Sequence, residues 1–157
     1  MKIKFLYTGK TTKDFLISGE KEYQGRLKHY CSLERIELAD IRNRAGMTNV
    51  ELKKNEGRQL LSHIANTDTV VLLDENGQEF TSVEFSQILQ EFRNRSIRTI
   101  VFVIGGAYGF SDEVYERANL KLSLSRMTFS HQMVRMIFLE QLYRALTILQ
   151  GEKYHHE

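Results

Sequence analysis

Polar and apolar positions alternate through "KIKFLYT", Lys2 to Thr8, before the run turns apolar, which predicts a first strand ended by Gly9. From Asp14 to Tyr30 the residues Phe15, Leu16, Tyr23, Leu27 and Tyr30 fall near helical spacing, so an amphipathic helix follows. "LERIELA", Leu33 to Ala39, alternates again and reads as a second strand. A polar loop carrying Arg42, Arg44 and Gly46 leads to a helix capped by Thr48 or Asn49 and running to about Ala65. "TVVLLD", Thr69 to Asp74, is apolar enough for a strand buried on both faces, and "ENGQE" after it is a predicted turn. Thr81 with Glu84 three residues on makes a capping box for a helix ending near Arg95.

The last third opens with five apolar residues, Ile100 to Ile104, which predict a buried strand. Gly105, Gly106 and Gly109 follow at once, and Ser111-Asp112-Glu113 then starts a short helix. "LKLSLS", Leu120 to Ser125, is another alternating strand, and a long helix runs from about His131 to Gln150 before the tail "GEKYHHE". Strands alternating with helices at this spacing predict an α/β fold: one layered domain on a mostly parallel sheet.

Composition narrows the class. The 157 residues are 41% hydrophobic and 27% charged, as in a globular domain able to bury a real core, and the net charge of +2 permits a polyanionic partner without demanding one. Cys31 is the only cysteine, which leaves no disulfide framework and no thiolate metal cluster and points to a reducing compartment, the cytoplasm by default. "MKIKFLYTGK" mixes charges into its apolar residues and does not read as a signal peptide, and no run is long enough to span a bilayer. Proline is absent, so the turns fall to Gly, Asn, Asp and Ser.

The glycine loop is not a dinucleotide fingerprint, because no acid stands between Glu116 and Glu140 to take a ribose, and no Lys-Ser or Lys-Thr makes it a P-loop. By itself it reads equally as a tight turn. A second loop raises its interest: "LKLSLS" runs straight into "RMTFSHQ", giving three strand ends, at Leu73-Asp74, Gly105–Gly109 and Leu124–Phe129, where an open parallel sheet places its ligand crevice. Met127 and Phe129 offer apolar faces to an aromatic base, and the backbone around them offers donors and acceptors.

"VFVIGGAYGF", "LSLSRMTFSHQMVRMIFLEQLYRA" and the tail "YHHE", together with "LYTGK", "KKNEGRQLL" and "VVLLDENG", resemble the ribosomal RNA large subunit methyltransferase H family, a small bacterial branch of the SPOUT class, over the whole chain. The resemblance implies a C-terminal trefoil knot, a homodimer, S-adenosylmethionine as methyl donor, and transfer to N3 of pseudouridine 1915 of 23S rRNA in assembled ribosomes. Ordinary connections do not thread loops, so the knot rests wholly on the resemblance. Carried over by residue, the donor site falls on Leu73, Gly105 and Leu124, Ser125, Arg126, Met127, Thr128 and Phe129. Members usually carry proline where this chain has Ser130, which leaves the turn into the last helix less pre-set.

Methyl transfer to an imide nitrogen asks the protein for alignment and for a group that assists loss of a proton. His131, Tyr154 and His155 are the candidates, set against a helix-start histidine bonded to its own turn and a frayed tail. Arg126 and Arg135 are the expected RNA contacts, and Arg93, Arg95 and Arg98 form a further basic run that equally suits a solvated helix end. The two histidines of the tail lack further ligands for a metal. Met133, Met136, Ile137 and Ile148 lie outside the core-facing stripe of the last helix and call for a second covering surface, supplied by a partner copy or by another helix of the chain. Two other classes remain: a non-enzymatic ribosome-associated RNA-binding factor of the same fold, and a nucleotide-dependent enzyme of different chemistry.

Overall fold

Alternate residues of Ile100–Ile104 face opposite sides of one sheet, which is why that strand is apolar throughout. Ile100, Phe102 and Ile104 join one core cluster and Val101 and Val103 the other. The structure is a computed structural model describing residues 1–156. Its strands are β1 (Lys2–Thr8), β2 (Ser32–Leu38), β3 (Thr69–Glu79), β4 (Thr99–Ile104) and β5 (Leu120–Ser123). All neighbours pair parallel, in the order β2-β1-β4-β3-β5. The helices are α1 (Asp14–Leu27), α2 (Asn49–Leu61), α3 (Ser82–Asn94), α4 (Asp112–Arg117) and α5 (Met133–Leu149).

Phe5, Phe85, Phe102 and Phe138 fill the larger cluster, beneath α1, α3 and α5. Leu6, Leu60, Leu72, Val103 and Val114 fill the smaller one, beneath α2 and α4. β4 inserts between β1 and β3, and the chain then crosses back past β3 to lay β5 on its outer side. The capping box of Thr81 and Glu84 forms at α3, and at α2 the cap is Thr48, which makes a second box with Glu51; each pair exchanges side-chain and backbone bonds. Each N-cap stabilises its helix by about 1 kcal/mol.

α1 and α2 end at Leu27 and Leu61, before Tyr30 and Ala65, and two further boundaries differ from the sequence pattern for traceable reasons. "ENGQE" is not a turn that ends β3. The strand bulges after Leu73 and resumes, with Gln78 opposite Leu122 and Glu79 opposite Ser123. Gly77 permits this, since a Cβ there would lie 2.7 Å from the Lys121 carbonyl carbon and 2.8 Å from the Leu122 nitrogen. β5 stops at Ser123 instead of Ser125 because Ser123 already faces Glu79, the last residue of β3; past it the Ser123 hydroxyl donates forward to the Ser125 carbonyl at 3.1 Å. In α5, Met136 is covered by α1 of its own chain, where it abuts Gly19.

Candidate active site

The carboxyl ends of β3, β4 and β5 enclose a cavity of about 580 Å³. Of the residues expected at the donor site, Leu73, Gly105, Leu124, Ser125, Met127, Thr128 and Phe129 line it, and His131 stands at its edge, exposed. Arg126 does not line it: the side chain is 88% exposed and bonds Glu79 at 3.1 Å. Met127, 77% exposed, forms an apolar rim.

Each wall has a local cause. The glycine loop closes as a tight turn in which Gly109, at φ +79°, donates to the Gly106 carbonyl at 3.1 Å. The loop after β5 is held by its own hydroxyls: Ser125 Oγ accepts from Met127 N at 2.9 Å, and Thr128 donates to Glu75 at 2.9 Å. Ser130, where proline is usual, forms the first turn by hydrogen bonding. Its Oγ accepts from Met133 N at 3.2 Å and its carbonyl from Val134 N at 3.0 Å. These bonds order the turn in place of a ring constraint.

Sequence reasoning reached the strand end at Asp74 but assigned the carboxylate no role. Tyr115 donates to Asp74 Oδ2 at 2.6 Å and the Asn76 N–H to Oδ1 at 2.8 Å, so the carboxylate is fixed in the cavity wall beside Glu75. Burial, and then the Asp74 carboxylate, push the Tyr115 hydroxyl up to about 12, so it remains a donor. No spacing rule joins residues 74 and 115; the β4–α4 crossover brings them together.

Arg135 requires a correction. Expected at an RNA surface, it is 1% exposed and points into the domain. Its guanidinium donates to Thr8 O at 2.7 Å, and to Gly9 O and Thr11 Oγ1 at 3.0 Å each, with its carbon 4.3 Å from the Tyr7 ring centre. Burial lowers its pKa, while Tyr7 and Glu20 act in the opposite direction. It ties α5 to the β1–α1 loop and cannot reach a phosphate.

The tail docks on its own chain, away from the cavity. Tyr154 donates to Glu140 at 3.1 Å, stacks edge-on with Tyr143, and lies under the Arg144 guanidinium. Arg144 Nη1 lies 3.3 Å from His155 Nδ1, a contact in which the guanidinium donates and Nδ1 accepts. Burial, then Tyr23 and Glu140, raise the Tyr154 pKa, so the docked hydroxyl stays protonated. Some 17 residues of α5, about 25 Å of helix, separate the start of that helix by the cavity from this end. Within one chain, therefore, His131 is at the cavity while Tyr154 and His155 are not.

Parallel strands with a crevice at their carboxyl ends, beside a crossover that doubles back, define a ligand-binding α/β domain. The family model "Predicted SPOUT methyltransferase" matches residues 1–155, and the chain belongs to the SPOUT methyltransferase family, which implies the trefoil knot of its C-terminal part. A "Ribosomal RNA large subunit methyltransferase H" from Christiangramia forsetii is 50% identical over 156 residues, 99% of each chain. Proteins of the same name from Flavobacterium psychrophilum and Parabacteroides distasonis are 50% and 46% identical over 157 residues, all of each chain. Among the described residues no helix is long and apolar enough to cross a membrane, and no group of three or more His, Cys, Asp or Glu is placed to hold a metal ion.

Proposed function

We propose that this protein is a cytoplasmic S-adenosylmethionine-dependent methyltransferase that modifies N3 of a pseudouridine in large-subunit ribosomal RNA, and that it works as a homodimer. The observation that carries the reading is the cavity where the glycine loop and the 124–129 loop meet, in a chain similar over its whole length to enzymes named for methylating that RNA. The residues present fit the donor: Leu124, Met127 and Phe129 offer apolar faces for a base, the loop backbone offers its donors and acceptors, and Asp74 and Glu75 supply negative charge toward a cationic sulfonium.

Bound there, the donor supplies a methyl group whose bond to sulfur breaks as its bond to nitrogen forms. The protein's contribution is mainly alignment, which is worth roughly 7–11 kcal/mol at best. We assign the imide proton to His131, which lies at the edge of the cavity. Tyr154 and His155 reach a donor cavity only from a second subunit, where the Tyr154 ring suits stacking on an extruded base and His155 a hydrogen bond to it. The test is incubation with methyl-labelled S-adenosylmethionine and ribosomes. Label is expected on a pseudouridine of the large-subunit RNA. Ribosome binding without label would instead identify a non-enzymatic factor.

A further inference from the structure

The rim of the cavity is electrically divided. Its β3 side carries Asp74 and Glu75, with no cation anywhere in β3; further along the strand Glu79 bonds the exposed Arg126. Across the glycine loop lies the β2–α2 segment, with Arg42, Arg44, Lys54 and Arg58 all exposed. Its acids offset them only in part: Glu56 is buried, Asp40 meets Arg44 only at 3.6 Å with both side chains open to water, Glu51 is held in the α2 cap, and Glu113 of α4 faces Lys54 and Arg58.

Packing of α2 places this segment beside the glycine loop: the Glu56 carboxylate abuts Gly106, and Gly57 lies against Ser111 and Val114. Arg44 lies near enough to act on the Glu56 carboxyl. Glu113, at the start of α4 just past the loop, lies within the fields of Lys54 and Arg58. Tyr108, in the glycine loop, is 49% exposed and lines the cavity. By contrast, Arg95 and Arg98 precede β4 and so sit at the amino edge of the sheet, opposite the cavity.

We propose that the RNA enters across the β2–α2 flank, its phosphates on Arg42, Arg44, Lys54 and Arg58 and an unpaired base on Tyr108, while the acidic β3 flank is kept for the donor. A polyanion is repelled from Asp74 and Glu75 and drawn to the opposite rim, whereas a cationic sulfonium is drawn the other way. Aromatic stacking beside a basic track is how proteins hold single-stranded RNA. The inference rests on the methyltransferase reading and extends it to how the substrate is held.

The test compares Arg42→Gln/Arg44→Gln, Lys54→Gln/Arg58→Gln and, at the opposite edge, Arg95→Gln/Arg98→Gln. Ribosome affinity is measured across a salt series, S-adenosylmethionine affinity by calorimetry, and folding by thermal melts. The first two pairs are expected to weaken ribosome binding at least tenfold with a shallower salt dependence, while donor affinity, melting and the third pair stay at wild-type values. Wild-type affinity in both flank variants, or equal losses in the Arg95/Arg98 variant, overturns the docking surface. Loss of melting stability matching the loss of affinity overturns it too. Wild-type protein that binds ribosomes but labels no RNA sinks the methyltransferase reading instead, so the two failures are distinct.

Discussion

The carboxylate of Glu56 on α2 occupies the space where Gly106 of the glycine loop would carry a side chain: a Cβ there would lie 2.8 Å from Cδ and collide with Oε2. That oxygen is buried without a hydrogen-bond partner. Gly106→Ala is therefore expected to displace the carboxylate and cost about 1 kcal/mol, the low end for overpacking because Glu56 can swing. In Glu56→Ala/Gly106→Ala the two costs should be less than additive by at least 0.5 kcal/mol or so. Strict additivity in urea melts would show that the two groups do not press on each other.

Burial raises the Glu56 carboxyl above its unfolded value, with Arg44 opposing in part. The folded state then holds this proton more tightly than the unfolded state. Stability from Glu56 is full below the unfolded value, about 4.3, and is lost as pH rises through the folded value. Glu56→Gln should gain on wild type as pH rises from about 4 through the folded value and keep a constant lead above it. Parallel stability curves for the two proteins over that range would contradict this.

A Cβ on Gly105 would lie 3.1–3.3 Å from the ring of Phe110, which is buried. Gly105→Val does not simply fill the space of a ligand; it pushes Phe110, another cavity residue. We expect a stability loss of roughly 1–3 kcal/mol together with at least a tenfold loss of S-adenosylmethionine affinity. Calorimetry on the folded variant decides the matter, and near-normal affinity would remove Gly105 from the donor site.

Arg135→Gln and Arg126→Gln should separate cleanly. The first breaks a buried network of three bonds and is expected to cost about 3 kcal/mol or more. The second alters an exposed side chain and should stay within about 0.5 kcal/mol. Thermal melts of the two variants provide the check. A soluble Arg135→Gln protein with wild-type melting and weakened RNA binding would reverse the assignment of Arg135 to the interior.

Deleting the chain from Lys153 onward removes Tyr154 and His155 while leaving the cavity lining whole. Donor binding is expected to stay within about threefold, under 1 kcal/mol. Ribosome methylation should fall at least a hundredfold, roughly 2.7 kcal/mol of barrier. Melting should drop slightly, because Glu140 and Arg144 lose partners in Tyr154 and His155. Loss of donor binding would place the tail against the donor, and unimpaired methylation would leave it without a role in the reaction.

Local information carries far in this chain. Hydrophobic period, the Thr48/Glu51 and Thr81/Glu84 boxes and the strand-glycine-helix order depend on residues a few positions apart, and the α/β class follows from them. The loops of the cavity were legible for the same reason, since each sits at the end of a recognisable strand. Contacts between distant segments were not. The bulge of β3 exists because β5, more than forty residues on, pairs with it twice, so "ENGQE" reads as a turn until that partner is present. Arg135 reads as a surface cation on a helix, and only the packing of α5 against the β1–α1 loop, 126 positions away, supplies the carbonyls that hold it inside. Asp74 with Tyr115, Glu56 with Gly106, and the division of the rim into acidic and basic flanks arise likewise from crossovers, where strand order, not chain order, decides which charges meet.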